Sequence, residues 1–397
     1  MESIQNIKPL FWRTGFYGAL TEGGVGTLYY SLTNEFVKKG HKVHFAAGGP
    51  MRLPEGVNHH LIEYSKLFRN LPEVHNLTYN YKSSKKIKEI IKSENIDFVY
   101  LHHHDFHFGG FKVKKETGIP LILHVDSVEY WVKKNWGKLY LSNYLKWCEQ
   151  IEVKAADAII VISDVLKEQL IEFYNVEENK IYVSPNGVDT DLFNPNIDGS
   201  SIRKKYGLED SFVIGYSGGF NIYHGIDTLI NASKMISEKI QNVKFFLIGD
   251  GEYRKHVDEF AEENGLKDKI IVTGLVPFKE VPAHLAACDV LVSPIRTTNN
   301  TTFFGSPIKT YEYLSMGKPI VATNIGILSK VYTDHVNALV MKENDPFSLT
   351  QKVIELFSNR QLADNLQKNA RNFALNNCSW SKKYNLILEI YKSIKNN

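Results

Sequence analysis

Residues 305–323 read Gly-Ser-Pro-Ile-Lys-Thr-Tyr-Glu-Tyr-Leu-Ser-Met-Gly-Lys-Pro-Ile-Val-Ala-Thr. A loop leads into a helix, Gly317 ends that helix, and an apolar strand follows. The helical spacing places Lys309 and Glu312 one turn apart on one face. A loop, a helix and a buried strand in this order indicate one unit of a parallel α/β sheet.

The same alternation continues on both sides of this stretch. Apolar runs rich in branched residues, separated by helical patterns, are found at Val43–Ala47, Phe98–Leu101, Leu121–Val125, Ala158–Ile162, Phe212–Tyr216, Phe245–Ile248, Ile270–Thr273, Val290–Ser293 and Pro319–Ala322. Continuous apolar strands that alternate with helices are typical of parallel strands buried on both faces. The sequence therefore predicts an α/β fold with two doubly wound parallel sheets that face each other across an inter-domain cleft.

The domain boundary is predicted near Ser184–Asp189, where Pro, Asn and Gly interrupt the pattern. We expect a first domain over residues 1–190 and a second over 191–379. The amphipathic stretch Trp380–Ile394 predicts a helix within 380–397 that returns to the first domain.

Composition excludes several classes of protein. The 397 residues contain 43% hydrophobic side chains and carry a net charge of only +3, which favours a folded protein without a nucleic-acid partner. The three cysteines show no paired metal spacing, and neither a signal peptide nor a membrane span is predicted. We therefore expect a cytoplasmic protein.

A glycine-rich turn, Glu22–Thr27, precedes a helical run. Gly23 and Gly24 would let the backbone approach a phosphate closely at a helix N-terminus, although a purely structural turn is an equal alternative. The pattern is neither Gly-x-Gly-x-x-Gly nor a P-loop, which makes a dehydrogenase or an ATPase a less favoured interpretation.

Two polar segments follow strands of the first domain. In Leu101–His107 at most His102 and His104 share a face, so packing and hydrogen bonding are expected there rather than a metal site. In Leu121–Ser127, a strand-end histidine, His124, could bind a sugar hydroxyl; its alternative role is that of a hydrogen-bonded structural histidine.

Residues 305–323 have the groups needed to bind a diphosphate and a ribose together. The amides of Gly305 and Ser306 could bind phosphate oxygens, Lys309 could neutralise their charge, and Glu312 could accept hydrogen bonds from the ribose hydroxyls. The alternative is a surface Lys–Glu pair of little consequence.

These motifs together resemble those of the retaining GT-B glycosyltransferases called family 4. The resemblance runs through Gly23–Gly26, Gly40–Val43, Ala155–Asp157, Ser163, Pro185–Asp189, Phe193, Pro195, Gly249–Gly251, Gly274, Asp289, Glu312–Ala322 and Trp380. It implies two facing Rossmann-like domains, with the acceptor bound mainly by the first and a nucleotide-diphosphate sugar, UDP- or GDP-linked, mainly by the second. It also implies a metal-independent hexosyltransferase in which the leaving diphosphate takes the acceptor proton, working in cell-surface or exopolysaccharide glycan synthesis.

The motifs and the resemblance together predict the site residues. The catalytic set is His124, Lys309 and Glu312, and the acceptor set is His104 and Asp126. The donor set is Gly23, Gly24, Gly218, Gly219, His224, Gly249, Val276, Gly305, Ser306, Pro307, Ile308, Lys309 and Glu312. No metal ligand is expected.

Two departures from the usual family pattern concern the donor site. Gly219 and His224 stand where the family usually has Arg and Lys, and Phe304 stands where it has the first of two glutamates. Both changes are familiar from a sub-branch with a His-Gly loop and a Ser-Pro-x-Lys-x-x-Glu motif. We interpret Lys309 as the compensating charge.

The acceptor is a sugar, glycan or glycolipid that the sequence does not specify, and the oligomeric state is equally open. Aromatic and lysine residues interleave between Tyr130 and Trp147, a pattern that fits either peripheral contact with an anionic membrane at its inner face or packing under the cleft. The competing functions are a nucleotide-sugar epimerase on the same fold and a catalytically silent nucleotide- or carbohydrate-binding module.

Overall fold

The computed structural model describes residues 6–14, 23–63, 72–136, 141–297 and 302–396. The chain forms two compact units, one of residues 1–185 with 380–397 and one of residues 186–379. The division after Pro185 falls inside the predicted Ser184–Asp189 segment and slightly before residue 190. Glu22 of the glycine-rich turn and Gly137-Lys138 of the aromatic–lysine segment lie outside the described residues.

The first unit contains a parallel sheet flanked by helices. Its strands are β1 (Pro9–Arg13), β2 (His44–Ala47), β3 (Asn58–Leu61), β4 (Phe98–His102), β5 (Leu121–Val125), β6 (Ala158–Val161) and β7 (Ile181–Val183). Its helices are α1 (Gly23–Lys38), α2 (Pro72–Glu94), α3 (Gly109–Thr117), α4 (Glu129–Trp136), α5 (Ser142–Ala155), α6 (Asp164–Tyr174) and the C-terminal α14 (Trp380–Asn396). The strand order, within the described residues, is β3-β2-β1-β4-β5-β6-β7.

The second unit repeats this architecture. Its strands are β8 (Phe212–Ser217), β9 (Val243–Ile248), β10 (Ile270–Val272), β11 (Val290–Ser293), β12 (Ile320–Ala322) and β13 (Leu339–Val340). Its helices are α7 (Ser200–Tyr206), α8 (Ile226–Lys239), α9 (Arg254–Glu263), α10 (Val281–Ala286), α11 (Ile308–Met316), α12 (Pro346–Ser358) and α13 (Arg360–Asn377). The strand order over the residues described is β10-β9-β8-β11-β12-β13.

Burial explains why the strands read as apolar runs. Every residue of β1, β4 and β5 is buried, as expected for strands covered on both faces. The first core includes Phe11, Tyr100 and Ile122 together with Ile387 from α14. The parallel doubly wound fold predicted from the alternation is confirmed, within each unit, by the sheet topology.

The strand orders locate the ligand-binding edge of each sheet. In the first unit the order reverses between β1 and β4, and in the second it reverses between β8 and β11. In open parallel sheets, ligands bind beyond the carboxyl ends of the strands at such a reversal. Arg13, His102 and His124 are aligned across β1, β4 and β5 at that edge of the first sheet.

Candidate functional site

The loops after β8 and β9 are in direct backbone contact. The Gly218 amide donates to the Ile248 carbonyl at 2.9 Å, and the Phe220 amide donates to the Asp250 carbonyl at 2.9 Å. A Cβ on Gly249, which has φ of 144°, would lie 2.1 Å from the Gly218 carbonyl oxygen. Gly249 is therefore needed for the close approach of the two loops, and the Gly218 amide is already used within the protein.

A short 3-10 turn, Ile222–His224, follows the Gly218-Gly219 loop. Arg296 holds this turn, because its Nε donates to the Ile222 carbonyl and its backbone amide to the Tyr223 carbonyl, both at 3.1 Å. The Arg296 guanidinium also pairs with Asp227 at 2.9 Å. The turn thus has a fixed position relative to the end of β11.

His224 is neutral in this turn. Its Nδ1 donates to the Gly219 carbonyl at 2.9 Å, and burial, reinforced by Lys309, lowers the pKa of His224 to about 3. Because the proton is on Nδ1, the ring presents Nε2 as a hydrogen-bond acceptor. His224 therefore supplies no positive charge at the place where the family usually has lysine.

Lys309 lies on the first turn of α11, against the loop after β8. Its side chain is buried, and Nζ lies 4.1 Å from the centre of the Tyr216 ring. Among the residues that the structure describes, Nζ has no hydrogen-bond acceptor. Burial lowers the pKa of Lys309 to about 7, while the neighbouring Glu312 carboxylate opposes that shift.

A buried ammonium without an acceptor is costly, and an anion placed beside it would remove much of that cost. A Cβ on Gly218 would lie 3.4 Å from Lys309 Nζ, so the ammonium is directly under the Gly218-Gly219 loop. Gly218, Gly219, His224, Lys309 and Glu312 are thus brought together at the topological reversal of the second sheet. The geometry suits an anionic ligand.

The loop before α11 has a more structural role than its sequence indicates. The Ser306 hydroxyl accepts the Asn186 amide at 3.0 Å and shares a hydrogen bond with the Tyr311 hydroxyl at 2.7 Å. The Asn186 side chain in turn donates to the Ser306 carbonyl at 2.7 Å. These contacts fix the Gly305–Ile308 loop, and they leave the Ser306 side chain engaged within the protein.

Val276 lies in the loop after β10 and is half-buried. The preceding Leu275 is 78% exposed, and Gly274 pairs with Gly249 through an isolated bridge. The loops after β8, β9 and β10 therefore lie side by side along the same edge of the sheet.

In the first unit, a chain of hydrogen bonds ends on Asp126. His102 Nε2 donates to the Asp126 carboxylate at 3.0 Å, and the Tyr29 hydroxyl donates to His102 Nδ1 at 2.6 Å. Burial raises the pKa of Asp126, but the neighbouring histidines, above all His102, lower it by more, and the net pKa lies far below the usual range. Asp126 is therefore a fixed anion after β5.

His124 is fully buried rather than open to a ligand. Its Nδ1 is 3.0 Å from the Tyr100 hydroxyl, and Nε2 has no partner among the described residues. Burial lowers the pKa of His124 well below its usual value, and nearby Lys383 and His102 act in the same direction. The ring is buried because His124 lies within β5, between the rings of Tyr100 and His102.

Lys383 on α14 belongs to the same edge, although it is not among the site residues predicted from the sequence. Nζ is buried and donates to the Ser184 carbonyl at 2.9 Å. Burial lowers the pKa of Lys383 to about 7, opposed by Asp126. Its place on the apolar spacing of α14, with Trp380, Tyr384 and Ile387, was the available signal.

The other polar residues after β4 form two groups. His104 is half-buried and pairs with Asp105, which raises the pKa of His104 against the effect of burial, and Lys133 lies 2.8 Å from the same carboxylate. His103 bridges Glu149 and Glu152 at 3.2 and 2.7 Å. His104 is thus the member of this segment nearest to solvent.

Glu149 and Glu152 anchor the loops after β4 and β5 to α5. Glu149 accepts the amides of Glu129 and Tyr130 at 2.8 and 2.9 Å, and Glu152 accepts the Gly110 amide at 2.9 Å. Burial would lower the pKa of His103, but these two carboxylates raise it to about 10. The two buried glutamates give no sequence signal, because isolated acids on a helix usually face solvent.

In the described part of the chain, one cluster of residues could hold a metal ion. It consists of His102, His124 and Asp126, whose potential ligand atoms lie within 4.8 Å of one another. His102 is already bonded to Asp126, so two of the three ligand atoms have a partner. The pair His102 and His104, considered from the sequence, does not form, because His104 turns to Asp105. Gly23 and Gly24 are exposed at the first residues of α1.

No helix in the described residues combines the length and apolar character that a membrane crossing requires.

The family described as Glycosyltransferase Family 4 matches residues 22–192, and Glycosyl transferases group 1 matches residues 198–373.

An uncharacterized glycosyltransferase of Methanocaldococcus jannaschii is 29% identical over 84% of each chain. The UDP-Gal:alpha-D-GlcNAc-diphosphoundecaprenol alpha-1,3-galactosyltransferase of Escherichia coli is 25% identical over 79% of this chain and 80% of its own. The crystal structure of Anabaena HepE in complex with UDP and glucose superposes with a TM-score of 0.78 at 17% identity, covering 98% of this chain and all of that one. With the two parallel doubly wound sheets, these matches show that the chain belongs to the GT-B glycosyltransferases of the family 4 type.

Proposed function

We propose that the protein transfers a hexose from UDP- or GDP-hexose to a hydroxyl of a sugar, glycan or glycolipid, with retention at the anomeric carbon. The buried ammonium of Lys309 carries this proposal, because it lacks an acceptor among the described residues and lies under a glycine loop at the sheet reversal. A nucleotide diphosphate supplies the anion that this position favours. Relatives named for UDP-galactose and GDP-mannose support such a donor.

In the proposed donor site, Lys309 neutralises the diphosphate and Glu312 accepts hydrogen bonds from the ribose. His224 Nε2 accepts one hydrogen bond from the donor, since Nδ1 is bonded to Gly219. The amides at the start of α11 add partial positive charge, and Gly23 and Gly24 stay a prediction of the sequence alone. Gly249 acts by allowing the loops to approach, and Val276 lies beside the base.

In the proposed reaction, the leaving diphosphate takes the proton of the acceptor hydroxyl, which attacks the face that the diphosphate leaves. The protein then stabilises negative charge on the diphosphate and holds the acceptor in place. Asp126 and His104 of the first unit bind the acceptor, and Asp126 is kept anionic by His102. His124 supports the sugar site from beneath, as a neutral buried ring.

A screen against UDP, GDP, ADP and their common sugars tests the donor. Binding raises the melting temperature by linkage, and we expect one nucleotide to do so in the native protein and to lose the effect in Glu312→Ala. Slow release of free nucleotide from the donor without acceptor distinguishes a transferase from a silent binding module. Conversion of the donor to an epimeric nucleotide sugar would instead identify an epimerase.

The proposed reaction needs no metal, because Lys309 and helix amides supply the positive charge. We expect full transfer activity after EDTA treatment, and NMR of the product should show the anomeric configuration of the donor. Complete loss with EDTA that magnesium restores, or an inverted product, would contradict this mechanism. The buried cysteines Cys148 and Cys288, which form no disulfide within the described residues, favour a reducing compartment such as the cytoplasm, where we propose the reaction takes place.

A further inference from the structure

A continuous row of aromatic rings connects α2, the loop after β4 and α5 in the first unit. Tyr81 contacts Phe108 with ring centres 6.1 Å apart, and Phe108 contacts Trp147 at 5.7 Å. Trp147 stacks on Tyr144 at 5.9 Å, and Tyr144 stacks on Phe106 at 5.8 Å. We call these five residues the aromatic face.

The aromatic face combines buried rings with exposed ones. Phe106 and Phe108 are buried, whereas Tyr81 is 58% exposed and Trp147 is 47% exposed. Leu77, one turn before Tyr81 on α2, and Leu141, immediately before α5, are also exposed. The exposed rings are therefore rigidly backed by buried ones, which lowers the entropy lost when they bind a partner.

Two lysines border the aromatic face, and the acid near Lys112, Glu116, is already paired with Lys88. Lys112 Nζ lies 3.8 Å from the centre of the Tyr81 ring, and Lys146 on α5 lies 5.4 Å from that of Tyr130. Among the residues that the structure describes, neither lysine forms an ion pair. The two acids of α5, Glu149 and Glu152, are buried, so α5 shows only lysine charge to solvent.

We propose that the aromatic face docks the protein onto an anionic lipid surface. Tyr and Trp favour the headgroup region, because their rings are apolar and their polar atoms remain hydrated. Lysines beside them attract anionic headgroups while their stems cover apolar surface. We would expect a surface that binds a protein to carry charges of both signs, whereas the aromatic face combines lysines with aromatic rings. The docking would bring the acceptor-binding edge of the first unit to lipid-borne acceptors.

Flotation of the full chain with vesicles tests the proposal. The native protein should float with phosphatidylcholine vesicles that contain one third phosphatidylglycerol, and much less with pure phosphatidylcholine. The double variant Tyr81→Ser/Trp147→Ser should reduce the partition coefficient by about tenfold or more. Lys112→Gln/Lys146→Gln should reduce it on the order of twentyfold on the anionic vesicles.

Two matched controls come from the second unit. Phe347→Ser/Leu375→Ser removes two exposed apolar residues of comparable exposure, and Lys279→Gln/Lys342→Gln removes two exposed lysines. Both controls should float like the native protein. Absence of flotation, or equal flotation of all variants, would overturn the proposal. So would a native dimer that Tyr81→Ser/Trp147→Ser dissociates, because a second copy would then cover the face.

This test is independent of the donor site. Each variant is also screened for the melting-temperature shift with the nucleotide that binds the native protein. A retained shift with lost flotation supports the lipid surface, and retained flotation without any nucleotide effect would count against the proposed transferase alone.

Discussion

Two buried lysines, one in each unit, have the same pKa and different surroundings. Burial lowers the pKa of both Lys309 and Lys383 to about 7, and each is opposed by one nearby carboxylate. Lys383 donates to the Ser184 carbonyl at 2.9 Å, whereas Lys309 has no acceptor among the described residues. The pKa therefore does not distinguish them, but the hydrogen bonding does.

The comparison indicates how a ligand site differs from a structural one on the same type of sheet. A lysine that is desolvated and already bonded helps to hold its helix in place. A lysine that is desolvated and unbonded remains destabilising until an anion arrives, so its burial energy is available for binding. We therefore propose that Lys309 binds the donor diphosphate and that Lys383 has a supporting role.

The largest expected effect comes from Lys309→Met, which keeps the length of the side chain and removes its charge. Transfer should fall by about a hundredfold to a thousandfold, because the variant loses the main positive side chain next to the diphosphate. Steady-state rates with the identified donor measure this loss.

Lys318→Met is the matched control for Lys309→Met. Burial also lowers the pKa of Lys318, but its Nζ already donates to the Ala286 carbonyl at 2.8 Å. Its transfer rate should stay within about twofold of the native rate, as for substitutions away from the site. An equal loss in both variants would show that desolvated lysines support the fold generally and would break the comparison.

A substitution of a buried glutamate in the first unit should lower the stability of the protein. Glu149→Ala removes the acceptor for the Glu129 and Tyr130 amides and for the Tyr174 hydroxyl, and it leaves His103 with one carboxylate fewer. We expect the free energy of unfolding to fall by about 3 kcal/mol, because buried partners are left unpaired. Chemical denaturation with Glu177→Ala, an exposed acid, as control measures this; an unchanged unfolding midpoint for Glu149→Ala would exclude the anchoring role.

The fold was largely predictable because burial determines the strands. Leu121–Val125 and Val290–Ser293 have the predicted bounds, since apolar residues continue to both ends. β1 was missed, although all its residues are buried, because Pro9 and Arg13 at its ends interrupt the apolar pattern. α1 begins at Gly23, before the predicted helical run, since helix propensity alone disfavours the glycines at its start.

The candidate site was less predictable, because hydrogen-bond partners come from distant parts of the chain. Lys309 and Glu312 could be named from local spacing, whereas Asn186 reaches Ser306 across 120 residues. The polar strand-end position of His124 suggested exposure, but the packing of Tyr100 and His102 buries its ring. The return of α14 to the first unit was predicted, but the acceptor of Lys383, the Ser184 carbonyl, lies 199 residues away in the sequence.

Donor affinity should depend on pH through Lys309. The diphosphate binds the ammonium form, so affinity should be constant below about pH 7 and fall about tenfold per unit above it, until the raised pKa of the bound state is reached. A UDP-sugar or GDP-sugar is the suitable ligand, since its phosphates do not titrate in this range. His224 is already neutral there, and Glu312 is the facing carboxylate.

Calorimetry in buffers of different ionisation enthalpy should show proton uptake on binding near pH 8. Lys309→Arg, which stays charged throughout, serves as control and should remove both the uptake and the decline. The stability of the free protein should depend on pH in the opposite direction. Because the pKa of Lys309 is lower in the folded state than in the unfolded state, the free energy of unfolding should rise from about pH 7 toward pH 10.5. An affinity independent of pH in the native protein would exclude Lys309 as the diphosphate ligand.

The smallest expected effect is that of Lys383→Met on donor binding. Lys383 has its acceptor within the first unit, so removing it should leave the nucleotide-induced melting-temperature shift within about 1 °C of the native value, whatever it does to the melting temperature itself. Lys309→Met should abolish the same shift. If Lys383→Met also abolishes the nucleotide-induced shift, binding of the diphosphate depends on both lysines. Hydrogen bonding in the free protein would then not distinguish a lysine that binds the ligand from one that supports the fold.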